Sequence, residues 1–470
     1  MLVKTRWIAL CCALALVATA CGSRLSEEEL SAGGGTGGGS AVAPDAGSGV
    51  DGAGIDNEGE DGPMVGTLPV PCGEGDAAPG PIPEGVEGAS QDEIKIAVVS
   101  DRAGQIKVPT AGIEESVQAF VDWCNGFGGI NGRQLALTKI DSKLFSHLEA
   151  TQEACNAGVF AIVGSGSVSD NQGAQAMVDC GLIEVPAYTA TAAKAMSDNM
   201  VQPLPNPSSI FNSAPAVYMV DNHPEAVKKA AILWGGIDTA RVQAERIIEA
   251  YEQVGFEFVY QKETAVIQES YAAEAKAMKD AGVEYVNFVN STAEAVKLLR
   301  DIDTQSVEPE VIEFGQQYYD PQLLEAGDAV EGALVQLNTV PFEEIDDSPG
   351  LQAYLAAYEA VGSDIEATSL GVQAWSAGLL FATATKTVGD DLTRENVLAA
   401  LQEIDEWDGG GVHGPSNPGA NLGAPCLIFA QVQDGAFVRA YPEEVATFDC
   451  KPDEYPIELE GDYGEGASAN

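Results

Sequence analysis

The chain has 470 residues, with 23 Lys and Arg against 72 Asp and Glu, a formal charge of −49. That balance excludes a nucleic-acid binder, which needs cations to neutralise phosphates, and opposes docking on an anionic membrane through a polybasic patch. Hydrophobic residues at 45% suffice for a packed core, and the three histidines (His147, His223, His413) show no metal-ligand spacing, so neither metal nor cofactor is expected.

Residues 1–21 read as a lipoprotein signal peptide. A basic start (Lys4, Arg6) precedes an apolar stretch too short to span a bilayer, and Ala18-Thr19-Ala20-Cys21 resembles a bacterial lipobox. Acylation of Cys21 would tether the mature chain to the outer face of the cell membrane, since several acyl chains anchor durably where one does not. Residues 22–90 are rich in Gly and acid and lack Phe, Tyr and Trp. Such a stretch buries too little apolar surface to offset its conformational entropy, so it is predicted to be a disordered linker. Cys72 is the exception, a candidate staple to the folded part. Beyond the signal and the lipobox six cysteines remain: Cys72, Cys124, Cys155, Cys180, Cys426 and Cys450. An even number outside the cytoplasm favours disulfides, and no CxxC suggests zinc. Cys155–Cys180 and Cys426–Cys450 are near in sequence, which leaves Cys72–Cys124, although six cysteines allow 15 connectivities.

From Ile94 strands and helices alternate. Ile94–Ser100, Leu135–Ile140, Phe160–Gly164 and Ile183–Pro186 have strand character, with helices predicted at 113–124, 147–157 and 171–180 between them. After a Pro- and Asn-rich break at 202–224 the alternation restarts. Strands are predicted at Ala230–Trp234, Phe256–Tyr260, Tyr285–Val289, Val311–Phe314 and Ala333–Leu337, and helices near 240–254, 271–281 and 292–303. Repeated βαβ units predict an α/β fold of two doubly wound, parallel-sheet lobes. Helical patterns at 349–361, 367–387 and 393–404 follow, then a hairpin, Cys426–Val432 and Ala436–Tyr441, about Asp434-Gly435. The late helices have no strands of their own to cover, so the chain is expected to return to the first lobe and cross again, making a multi-strand hinge. The predicted division is 91–213 with 341–408 for lobe 1, 214–340 with 409–450 for lobe 2, and an acidic tail at 451–470.

Several segments, in this order, resemble the branched-chain amino-acid type of bacterial solute-binding protein, the type I periplasmic-binding fold that serves ABC importers. They are IKIAVVSDRAG, FVDWCNGFGGINGRQLALTKID (Phe120–Asp141), FAIVGSGSVSD (Phe160–Asp170), VPAYTAT (Val185–Thr191) and GALVQLNTVPF (Gly332–Phe342). The resemblance covers about 91–450. It implies a lipid-anchored binding protein, expected to be monomeric, that captures a small polar solute such as an amino acid or amide and delivers it to an ABC permease.

In open α/β sheets ligands sit beyond the carboxyl ends of the strands. Ser165, Gly166 and Ser167 therefore become candidates for an anionic group, offering hydroxyls and open backbone at a helix start. The same residues also suit a turn whose serine only caps the helix. Tyr188, Thr189 and Thr191 follow the next strand and are expected on the same wall. Arg102 and Gln105 either reach the ligand or, for Arg102, pair with a surface acid. From the second lobe the candidates are Asp238, Asn290, Ser291, Gln317 and Tyr318. The resemblance places Gln317 where amino-acid-binding relatives carry a carboxylate for the ammonium group, which disfavours an α-amino acid, with Asp238 either substituting for it or serving as a solvated helix cap. A ligand sensor for a signalling receptor and a structural envelope lipoprotein remain alternatives. An exported hydrolase is disfavoured because no GxSxG elbow or evident triad occurs.

Overall fold

The computed structural model describes residues 55–56, 62–75, 78–104, 110–461 and 463. The signal peptide, Cys21, residues 22–54 of the linker, Gln105 and most of the last ten residues lie outside the described residues.

Two parallel sheets organise the chain. In the first, the strands run in the order Gln134–Asp141, Glu93–Ser100, Ala161–Val163, Ile183–Val185. In the second the order is Phe258–Thr264, Ala230–Gly235, Tyr285–Val289, Val311–Phe314, Leu334–Leu337, all parallel, closed by the antiparallel strands Cys426–Gln433 and Ala436–Tyr441. Alternation along each strand feeds both faces. Ile94, Ile96 and Val98 enter one core, while Ala97 and Val99 enter the core on the opposite face. In the second sheet Val286 and Phe288 face one helical layer, and Tyr285 and Val289 face the other.

Predicted helices appear within a few residues of their expected bounds, at Ala111–Gly126, His147–Asn156, Asn171–Asp179, Asp238–Val254, Ala272–Ala281 and Thr292–Thr304. The GGINGR element turns because Gly128, Gly129, Asn131 and Gly132 all adopt positive φ; a Cβ on Gly129 would lie 2.0 Å from the Arg133 carbonyl oxygen. As expected, the late helices Pro349–Val361, Ser369–Val388 and Arg394–Gln402 return to the first lobe, where Leu351, Trp375 and Leu401 join its core. The hairpin turns at Asp434 and Gly435, both at positive φ, as a two-residue turn of this composition requires. The three disulfides are Cys72–Cys124, Cys155–Cys180 and Cys426–Cys450.

Three boundaries differ from the sequence reading. The linker does not run to residue 90: Met64–Val65 and Leu68–Pro69 form a small antiparallel pair, and Val65, Val70 and Cys72 are buried in the first lobe's core. A few apolar side chains and one disulfide order this stretch, although its average composition is that of a coil. The first lobe also extends beyond residue 408. Val412 packs in its core, His413 hydrogen-bonds Ser376, Ser416 pairs with Trp407, and Asn421 donates to the Ala195 carbonyl, so the last crossing falls at 423–425. Finally, 451–461 is not a free acidic tail. Pro456–Glu458 pairs antiparallel with Ile210–Asn212, and Tyr455 and Leu459 are buried against the second lobe.

Candidate functional site

The chain crosses between lobes near 202–213, 338–341 and 423–425. Arg246, from the helix Asp238–Val254, holds the first crossing by donating to the carbonyls of Pro207 at 2.7 Å and Ile210 at 3.1 Å. Between the lobes, at the carboxyl ends of both sheets, lies a cavity of about 500 Å³. The first lobe lines it with Thr110, Phe145, Val168, Tyr188, Thr189 and Gln373; the second with Asn290, Ser291, Gln316, Gln317 and Asn338 among others. Apolar side chains from the crossing and from the second lobe, including Leu204, Phe211 and Ile247, complete the wall.

Five expected residues meet here: Tyr188, Thr189, Asn290, Ser291 and Gln317. Thr189 donates its hydroxyl to Gln202 Oε1 at 3.0 Å, which fixes the amide of a second lining residue. The Tyr188 phenol is pushed well above its usual range, first by burial and then by the Asp101 and Asp170 carboxylates, so it stays protonated. Asn290 uses its side-chain oxygen to accept the Ser291 N–H at 2.8 Å, and Gln316 uses its own to accept the Asn338 N–H at 2.9 Å. Both leave a buried amide nitrogen, Asn290 Nδ2 and Gln316 Nε2, without a protein partner. A buried donor left unpaired costs roughly 1–3 kcal/mol, and an acceptor on a ligand would recover it.

The other expected residues serve different ends. Ser165 donates to Glu184, which also pairs with Lys194 in the interior, and Ser167 donates to Asp101 at 3.1 Å. Gly166 sits beneath Tyr188, where a Cβ would lie 2.2 Å from the ring. These residues do not line the cavity because they satisfy buried carboxylates and make room for the tyrosine. Thr191 likewise donates to Asp170. Tyr318 is fully buried; its hydroxyl donates to the Phe288 carbonyl at 2.9 Å and accepts the Asn290 N–H at 2.8 Å, so it positions the Asn290–Ser291 loop from behind. Asp238 is no substitute carboxylate: it begins its helix in solvent, 81% exposed, beside Arg241. Arg102 pairs with Glu114 at 2.7 Å and is absent from the lining.

Sequence reasoning reached the Gln316–Tyr318 loop but missed Gln202, Asn338 and Gln373, and with them Asn287, Glu313 and Gln336, which stand inside strands. The signal for the last three was a single polar residue interrupting each apolar run, in YVNFV, VIEF and LVQL. Among the described residues, no cluster of His, Cys, Asp and Glu could hold a metal ion, and no helix is long and apolar enough to cross a membrane.

Comparison with known proteins matches residues 93–436 to the family described as periplasmic binding protein. No curated protein matches the chain in sequence. Solved structures share the fold at low identity. A leucine binding protein from Thermotoga maritima is 15% identical, covering 74% of this chain and 97% of its own, with a TM-score of 0.62. An ABC transporter solute binding protein from R. palustris in complex with 4-hydroxybenzoate is 18% identical over 77% of this chain and 99% of its own, at 0.64. A fatty acid ABC transporter substrate-binding protein from Thermomonospora curvata is 20% identical over 78% and 100%, at 0.62. A family match spanning most of the chain, over a two-lobed fold with a cavity at the carboxyl ends of both sheets, makes this chain a member of the periplasmic binding proteins, of the type I fold.

Proposed function

We propose that the protein is an extracytoplasmic solute-binding lipoprotein and not an enzyme, monomeric and tethered through Cys21. It would capture a small polar solute, such as an amino acid, an amide or a related compound, between its lobes and deliver it to an ABC importer. The observation that carries this reading is the cavity between the two sheets, into which both lobes bring amides and hydroxyls, two of them with unpartnered buried nitrogens. Groups from opposite lobes can hold one solute only when the lobes are shut, so binding and hinge closure are coupled. The structural relatives are named for leucine, 4-hydroxybenzoate and fatty acids, which supports a scaffold whose wall residues set the ligand.

The test is a thermal-shift survey of the purified protein against amino acids, amides, amines, short carboxylates and urea-like solutes. A true ligand at 100 times its Kd adds about 2.7 kcal/mol of stability. Thr189→Ala and Gln316→Ala should each weaken it about tenfold. Failure of every solute to stabilise the fold, or binding indifferent to both substitutions, would refute the reading. For the anchor, the protein should partition into detergent and lose that behaviour in Cys21→Ala.

A further inference from the structure

Three strands of the second lobe each present one polar side chain to the cavity: Asn287, Glu313 and Gln336. Asn287 and Glu313 are direct partners in the strand register. Glu313 is 1% exposed; one oxygen accepts the Tyr251 hydroxyl at 2.6 Å and the other the Tyr285 hydroxyl at 2.8 Å. Each carboxylate oxygen therefore keeps a lone pair. Among the described residues lining the cavity there is no Lys, Arg or His and no second acid. A carboxylate taken out of water without a cation is costly, and two neutral phenols compensate it only in part. Burial accordingly pushes the Glu313 carboxyl up to about 7, against the pull of both hydroxyls. The phenols are themselves held well above their usual range, chiefly by burial, so they remain donors.

The charge of the molecule acts in the same direction. At −49 the protein concentrates cations around its surface and depletes anions, and a cleft of low dielectric focuses that field. An anionic solute would enter against this potential and meet an acid with no basic side chain beside it among the described residues.

Resting on the solute-binding reading, we propose that the Glu313 end of the cavity is a subsite for a cationic nitrogen. The solute is then an amine or amidine carried on an apolar body, with Glu313 as its counter-ion. The carboxylate, held in place by its two phenols, receives the nitrogen, Asn287 and Gln336 flank it, and Phe211 and Ile247 cover the apolar part.

Calorimetric titration of the wild-type protein with compounds matched on one skeleton tests this without any variant: phenethylamine, 2-phenylethanol and phenylacetate, then hexylamine, hexanol and hexanoate. The amine of at least one set should bind at least tenfold tighter than its alcohol, with its carboxylate weaker still. Glu313→Gln, checked for folding by its thermal transition, should bring amine and alcohol within about twofold. Carboxylates or alcohols binding best would overturn the cation subsite while leaving solute capture standing. An amine preference that survives Glu313→Gln would also overturn it. Binding by no member of either set overturns the subsite, and solute capture falls with it only if the wider survey is empty too.

Discussion

Glu313 is an acid whose proton is retained on folding, and this gives stability a readable pH dependence. Its carboxyl titrates near 7 in the folded chain and near 4.5 when solvated, so between those values the folded state binds more protons than the unfolded one. Stability from this group therefore falls as pH rises through about 4.5 to 7. Asp170, also pushed up to about 7 by burial, acts in the same sense. His147 and His413, lowered by burial to about 3 and about 4, act in the opposite sense, because they must charge on unfolding below pH 6.5. The raw profile thus mixes opposed contributions, and the difference between wild type and Glu313→Gln isolates one. At pH 4 the two should unfold nearly alike; at pH 8 the variant should be more stable by on the order of 3 kcal/mol. Denaturant unfolding at both pH values measures it, and a gap that does not change with pH would contradict a buried, cation-free Glu313. At this scale the sequence was half legible. Loops after strands pointed to Thr189, Asn290 and Gln317, which line the cavity, but Glu313 lies inside a strand, where only the register across the sheet aligns it with Asn287. The serines after FAIV were misread for a related reason: a hydroxyl serves a ligand or a neighbouring carboxylate equally well, and Asp101 and Glu184 come near only on folding.

Most strands and helices were readable where a run was long enough to show a period, as in Ile94–Ser100 or the helix around Val117 and Phe120. The elements that escaped include the helix Ala214–Asn222, inside the stretch read as a break, and elements of two to four residues. Met64–Val65 and Pro456–Glu458 have too few residues to alternate, and both sit in acid-rich, Gly- or Pro-containing stretches. Tertiary partners hold them: the core and the Cys72–Cys124 bond for the first, Ile210–Asn212 for the second. The disulfide closes a loop of 52 residues in sequence, for which the chain-entropy model gives about 4 kcal/mol. Replacing both cysteines by alanine should cost roughly that amount in denaturant unfolding. It should also open the 62–75 segment to limited proteolysis while the lobes stay intact, because Val65 and Val70 alone hold little surface. Unchanged stability and unchanged protection would mean that the segment docks without its staple.

At the scale of the whole molecule, two features combine: lobes joined by three crossings around a cavity, and an acid excess beside a cavity wall whose described residues include no cation. The excess was plain in the sequence, but whether it coats a surface or biases a site depends on where the few bases lie. The structure pairs many of them outside the cavity, such as Arg102 with Glu114, Arg241 with Glu245 and Arg439 with Glu344. Among the described residues, none stands in the lining to draw an anion inward. Long-range attraction of this kind raises association rates and is screened within about 10 Å at 0.1 M salt, whereas a contact buried between closed lobes is screened far less. A cationic solute should thus bind with an association rate that drops several-fold between 20 mM and 500 mM salt while its dissociation rate stays nearly constant. The matched alcohol should show no salt dependence in either rate. Stopped-flow measurement of both separates steering by the field from capture by the cavity. An amine whose association ignores salt would mean that the acidic surface is a solvent coat with no part in choosing the solute.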